Sequence, residues 1–341
     1  MELSPVCTEA AQAAESYTSF YQQEIQRSCV TVKVMLNVSS TGLVGPQPED
    51  IRPEALWKTP KNPLWQPWSR PESVICFGKE PQDMSKKMLV VSAHGADWCT
   101  RAGGTILKYV NAGWEVTVYA LTFGEHGESG AYWKDHWGTN VEEVKHCRKT
   151  EAQAAAAFMG VKRIEFFDYG DYPLDMGTSR VQDLICRIMD LRPDVILTHW
   201  IDDPFNMDHE ITGKAVVRAV SACGMRGAIP DTDPHFIPDI FFFETTMPHS
   251  EFNHFEIDTY LDIGDVFEKK IQAVKLFAAQ PQLVEYYTRC AKNRGVQAND
   301  WSRGRRSIQY AEGFKRYVPY LGDCLPVSSL EERFIKEDGY V

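Results

Sequence analysis

The 341-residue chain has no Cys-x-x-Cys pair, no internal repeat and no apolar run approaching the roughly 18 residues that a membrane span requires. Its nine cysteines, Cys7, Cys29, Cys76, Cys99, Cys147, Cys186, Cys223, Cys290 and Cys324, are scattered and odd in number. Such an unpatterned set reads as reduced thiols in a reducing compartment. The opening residues, MELSPVCTEAAQAAESY, lack the basic and apolar regions of a signal peptide. The cytoplasm is therefore the expected location, with no membrane partner. Positive charge is also short: 36 Lys and Arg against 47 Asp and Glu leave a net charge of −11. That balance excludes a nucleic-acid partner, because binding phosphates needs a surplus of cations. It does not exclude an anionic small molecule, since a few local arginines override the global sign.

What is present is the balance of a globular protein, 43% hydrophobic and 24% charged, with enough chain for a sizeable core. Residues 1–87 differ in texture from the rest. A helix is expected over 8–26 and a strand over 29–38, followed by a Pro-rich, Trp-containing stretch at 45–71 without periodicity. From residue 88 the pattern is regular. MLVVSA (88–93), WEVTVYALTF (114–123), RIEFFDYG (163–170), DVILTHW (194–200) and PDIFFFETT (238–246) read as strands. Helices are expected over 101–112, 142–160, 178–191, 209–222, 264–280 and 281–294. Strands alternating with helices predict an α/β fold, a mostly parallel sheet with helices on both faces. The expected division is an N-terminal extension (1–87), a catalytic domain (88–325) and a C-terminal tail (326–341).

In such a sheet the chemistry lies beyond the C-terminal ends of the strands. Two polar clusters fall there. After MLVVSA come His94 and Asp97, and after DVILTHW the run IDDPFNMDH ends at Asp208 and His209. Two imidazoles and a carboxylate supply three ligands, the pattern of a catalytic zinc site with an open fourth position. On residue types alone the two histidines can equally be ordinary loop histidines.

The motifs around them carry a resemblance. Residues 88–125, from MLVVSAHGADWCTRAGGTILKYV through LTFGE, resemble the opening of the PIG-L/LmbE zinc N-deacetylases, with His94, Asp97, Gly103, Gly104 and Thr105 in register. Asn206-Met207-Asp208-His209 corresponds to the second motif, and Arg148 and Glu151 to an Arg-x-x-Glu on the intervening helix. The resemblance covers about residues 88–320. It implies a Rossmann-like sheet and one zinc per chain, held by His94, Asp97 and His209. The chain departs from the deacetylases at Ala96, which replaces the aspartate that serves as general base, at Trp98, and at Asn206, which replaces a histidine. A second likeness, to the 4-oxalomesaconate hydratases of the same superfamily, includes the Ala-Asp pair. It extends through FGEHGES (123–129), FFDYGDYPL (166–174), DPFNMDH (203–209), EYYTR (285–289) and RRSIQYAEGF (305–314).

That likeness implies zinc-dependent addition of water to a C=C bond of an oxo-tricarboxylate. The gripping groups would be guanidinium forks. Arg289, Arg294, Arg303, Arg305 and Arg306 cluster near the C-terminus, and such a run is otherwise a solvated basic face. Arg289 and Arg306 are the favoured carboxylate binders, with Arg101, Tyr310 and Asn206 as further candidates. Glu128 is the expected base, with Glu125 as its rival and His126 as a proton carrier. Their alternative is loop hydrogen bonding. Asp208 is expected to orient an imidazole, and His199, Asp171 and Glu244 are open candidates for the pocket wall. A homo-oligomer is the expected assembly. The competing functions are an N-deacetylase of a sugar-like molecule and a non-catalytic binding protein; retention of all three ligands opposes the latter.

Overall fold

In the computed structural model, residues 86–237, 239–248, 254–303 and 306–322 are described. The expected N-terminal helix, strand and Pro-rich stretch, and the C-terminal tail, lie outside them. The apolar run at Lys87–Ser92 forms strand β1, which is buried from Met88 onward. It pairs in parallel with β2 (Glu115–Ala120) on one side and β4 (Val195–His199) on the other. Strand β3 (Arg163–Phe166) extends the parallel sheet beyond β2, and β5 (Asp239–Phe243) extends it beyond β4. Two further strands, β6 (Thr259–Asp262) and β7 (Ala311–Arg316), complete the order β3-β2-β1-β4-β5-β7-β6. β7 runs antiparallel to both β5 and β6.

A strand buried on both faces sends alternate residues into two cores. Met88 and Val90 of β1 join a cluster with helix α1 (Asp97–Asn111), α3 (Val141–Met159) and α6 (Phe267–Val274). Leu89 and Val91 join the opposite cluster, with α4 (Thr178–Leu191) and α5 (Met207–Cys223). The remaining helices are the short α2 (Gly130–Asp135) and the long α7 (Leu283–Trp301). The expected mostly parallel sheet with helices on both faces is thus the observed one.

Three elements escaped the sequence pattern: α2, β6 and β7. β7, AEGFKR, is charged at three of six positions, yet Glu312 is buried. Glu312 accepts from the backbone N–H of Gly104 and Thr105 (both 2.8 Å), from Thr105 Oγ1 (2.6 Å) and from Lys270 Nζ (2.7 Å). That contact explains the Gly-Gly-Thr segment of α1 structurally. At Gly104 a Cβ would lie 2.7 Å from Ile263, so only glycine fits. On α5, a Cβ at Gly213 would lie 2.4 Å from the His199 carbonyl oxygen. Glycine there lets α5 pass close over the end of β4, which seats His209 above His199.

Candidate metal and active site

His94 lies in the turn after β1, Asp97 starts α1, and His209 occupies the first turn of α5. All three are buried at the C-terminal edge of the parallel sheet. Asp97 Oδ2 lies 3.1 Å from His94 Nδ1 and 3.4 Å from His209 Nε2. A tetrahedral ion with bonds of about 2.0–2.1 Å spaces its ligands roughly 3.3 Å apart, so the spacing fits. Each imidazole is held from behind. Asp208 Oδ2 faces His94 Nε2 at 3.3 Å, and Asp203 Oδ2 faces His209 Nδ1 at 3.1 Å. Carboxylates in those places fix the tautomers, leaving His94 Nδ1 and His209 Nε2 to point inward. His209 Nε2 is buried with no hydrogen-bond partner, an orphaned donor atom that a metal ion would satisfy. The residues fit a metal.

His199 also comes close, with Nε2 3.4 Å from Asp97 Oδ2 and its ring stacked on His209 at 4.0 Å. That nitrogen, however, accepts the Ala93 N–H at 3.0 Å, which removes it from the ligand set. Burial and the neighbouring His209 push the His199 pKa down to about 3, so the ring is neutral. Burial alone would lower His94 as well, but hydrogen bonds to Asp208 and Asp97 prevail and hold it well above its ordinary value. Burial disfavours the charged form of Asp97, yet the neighbouring His209 holds its carboxyl well below the usual range. Burial raises the Asp203 pKa, but the hydrogen bond and charge of His209, with Arg101 and the Thr246 hydroxyl, together outweigh it and lower the pKa to about 2.

Beside these groups opens a cavity of about 300 Å³ whose wall includes Ala96, Asp97, Arg101, Glu128, Gln280 and Tyr287. Glu128 Oε1 stands 3.9 Å from His94 Nδ1. Arg101 donates to the Glu244 carbonyl at 2.6 Å and approaches Asp97 Oδ1 at 3.5 Å. Glu128 and Arg101 are thus the expected site residues that the fold brings to the cavity.

Others it places elsewhere. Glu125 is buried with Oε2 on the Phe123 N–H, and burial raises its pKa. His126 is tied to Asp171, whose carboxylate takes the His126 Nδ1 at 2.6 Å and the N–H groups of His126 and Gly127. Neither lines the cavity; both serve the loop after β2. Asn206 caps α5, accepting from the N–H of Asp208 and His209, and its amide donates to Tyr172 Oη at 2.9 Å. These bonds occupy it, and the expectation of a substrate binder gives way to a cap. Tyr310 stacks on Phe267 at 3.6 Å, against the main core. Asp208 orients an imidazole as expected, but that of His94, not its neighbour His209.

The arginine cluster divides. Arg294 is buried and grips Glu244 through Nε and Nη2. Arg289 is exposed, with its guanidinium 5.5 Å from the ring of Tyr286, itself a cavity residue. Arg306 follows α7, its N–H on Ser302 Oγ; it does not line the cavity. Arg305 lies outside the described residues. Sequence reasoning gave no role to Asp203, Gln280, Tyr172, Tyr286, Tyr287 or Thr246. Four of them left a signal by lying in the resembling blocks: Asp203 in DPFNMDH, Tyr172 in FFDYGDYPL, and Tyr286 and Tyr287 in EYYTR. Thr246 donates to Asp203 at 2.8 Å, which completes the support of His209.

Residues 89–220 match the family model of PIG-L, GlcNAc-PI de-N-acetylase. Over 245 residues the chain is 39% identical to the 4-oxalmesaconate hydratase of Pseudomonas putida, covering 70% of this chain and 92% of that one. The chain belongs to the PIG-L/LmbE-like family. Among solved PIG-L/LmbE-like structures, it is similar to GalB, the 4-carboxy-2-hydroxymuconate hydratase from Pseudomonas putida KT2440. That match has 37% identity and a TM-score of 0.66, and covers 71% of this chain and all of the other. The diacetylchitobiose deacetylase of Thermococcus kodakarensis is 30% identical over 208 residues, 59% of this chain and 72% of that one.

Proposed function

We propose that the chain is a zinc-dependent hydro-lyase that adds water to the C=C bond of 4-oxalomesaconate, giving 4-carboxy-4-hydroxy-2-oxoadipate. The observation that carries this reading is the exchange of carboxylates at the cavity wall. Ala96 stands where the deacetylase motif has its base, and Glu128 presents a carboxylate 3.9 Å from His94 instead. The likeness to the Pseudomonas putida hydratase over 92% of its length supports the same substrate class. 4-Oxalomesaconate and 4-carboxy-2-hydroxymuconate are keto and enol forms of one tricarboxylate.

His94, Asp97 and His209 would hold the zinc. When bound, such an ion acts as a Lewis acid and makes water ionisable near neutral pH. Glu128 takes one proton of the attacking water. The hydroxyl joins one alkene carbon, and Glu128 returns the proton to the other, so the carboxylate is regenerated. Arg101, its pKa raised despite burial by the nearby Tyr287 and carboxylates, stays cationic and faces a substrate carboxylate. Arg289 adds charge near the Tyr286 side of the cavity. A volume of about 300 Å³ suits a small molecule. The five described cysteines are free thiols, which supports a cytoplasmic setting.

The test is to incubate the protein with 4-oxalomesaconate and follow loss of the conjugated absorbance, with diacetylchitobiose in parallel and elemental analysis for zinc. Hydration with about one zinc per chain supports the reading. Acetate release without hydration, or full activity in zinc-free protein, overturns it.

A further inference from the structure

Arg148 on α3 has no exposed surface. A buried guanidinium must place its donors on acceptors, and here the acceptors form a sequence. Nη1 donates to Glu151 Oε2 and Nη2 to Gln280 Oε1, both at 2.8 Å. Glu151 Oε1 in turn accepts the Ala279 N–H at 2.9 Å. One turn of α3 thereby grips two successive residues, 279 and 280, of the segment before α7. Because arginine only donates, the Gln280 oxygen must face Arg148, and its amide nitrogen must face the other way. That nitrogen donates to Glu128 Oε2. From the opposite side Tyr172 Oη donates to Glu128 Oε1 at 3.3 Å. Both carboxylate oxygens of Glu128 are therefore held.

We infer that Gln280, locked by the buried Arg148–Glu151 pair, is a positioning residue that aims the Glu128 carboxylate at the His94 side of the cavity. The inference rests on the reading of Glu128 as the base. A glutamate on a loop otherwise samples several rotamers, and a misplacement of about 1 Å can cost about 10²-fold in rate. Arg148 does not line the cavity, so its influence on turnover passes through Gln280. The Arg-x-x-Glu pair at 148 and 151 thus gains a role in the reaction that its burial hides.

The test is a cycle of metal-loaded, full-length proteins: wild type, Gln280→Leu, Glu128→Gln and the double variant, with Arg148→Met alongside. Gln280→Leu is expected to lower kcat at least about 10-fold with zinc content unchanged. In the Glu128→Gln background the same change should cost less than about 2-fold, because residues acting as a unit are non-additive. Arg148→Met is expected to lower kcat with KM unchanged. Should that variant fail to fold, with Glu151 left unpaired, Gln280→Leu still decides, because it buries no new charge. Equal losses in both backgrounds, or a rise in KM alone, would overturn the inference. A crystal structure of zinc-loaded Gln280→Leu gives a readout apart from activity: the Glu128 carboxylate should have turned away from His94. An unmoved carboxylate overturns the inference. A wild type inert toward 4-oxalomesaconate overturns the hydratase reading alone, and the position of Glu128 then still decides.

Discussion

Glu128 and Ala96 face the same cavity from different elements, and on the proposed reading they exchange one chemistry for another. An aspartate at 96 would sit next to ligand Asp97 on the same turn, whereas Glu128 comes from the loop after β2. Glu128→Gln is expected to retain zinc and to lower turnover by roughly 10²-fold or more, since general acid-base help is worth about 10²–10⁴. Stopped turnover with zinc by elemental analysis checks it, and normal turnover would move the base elsewhere. Arg101 is the one arginine lining the cavity among the described residues. Arg101→Met should raise KM at least about 30-fold, the equivalent of about 2 kcal/mol, the low end of losing a charge-assisted partner in a desolvated site. Arg289→Met, at an exposed position, should raise it less. A larger effect at Arg289 would reverse the order of the two subsites.

At the scale of elements, the N-terminus of α5 does two tasks. Asn206 caps the helix through the N–H groups of Asp208 and His209, the two residues that support and supply the metal site. Losing such a cap costs about 0.5–2 kcal/mol. Asn206→Ala is therefore expected to lower unfolding free energy by about 1 kcal/mol in denaturant titration, and to weaken zinc binding at the same time. Weakened stability with unchanged zinc affinity would show that the cap and the ligand geometry are independent. β7 acts comparably on α1: Glu312 reaches across from the antiparallel part of the sheet to the Gly-Gly-Thr turn and to Lys270. The edge strands are thus fastened to the helix that begins with Asp97.

For the whole molecule, acid sensitivity of the metal-free protein follows from its buried carboxylates. Asp203 has its pKa lowered from 3.8 to about 2, because His209, Arg101 and Thr246 together outweigh burial. A depressed folded pKa contributes stability that is present above the unfolded value and is lost as pH falls through the folded one. Metal-free protein should therefore lose about 2 kcal/mol between pH ~4 and ~2 on this account. Asp203→Asn should flatten that part of the curve in urea titrations across pH. An unchanged slope would assign the acid sensitivity to other groups. We further expect that removing residues 1–70 leaves a folded, zinc-loaded protein; an insoluble or zinc-free product would join that segment to the core.

The sequence by itself determined the five parallel strands and pointed to the candidate ligands. Apolar runs such as MLVVSA and DVILTHW read as strands buried on both faces, and their alternation with helical stretches favours a parallel order. Local position places His94, Asp97 and His209 on one edge, since each follows a strand or opens a helix, but it was the family resemblance that marked them as candidate ligands over ordinary loop residues. The tertiary structure decided what surrounds them. Asp203 and Asp208 exchange imidazoles in a way that chain neighbours do not predict, since a side chain answers to what lies across the turn and not beside it in sequence. Gln280 reaches Glu128 over 152 residues, and Arg148 is hidden behind both. β7 carries charges that look solvated until Glu312 finds the N–H groups of α1. Tyr310 reads as a pocket residue by proximity in sequence, but stacking on Phe267 takes it into the packing, and Arg294 of the arginine cluster is taken up by pairing with Glu244. Periodicity reports which residues leave water; only the packed fold decides which polar groups meet when they do.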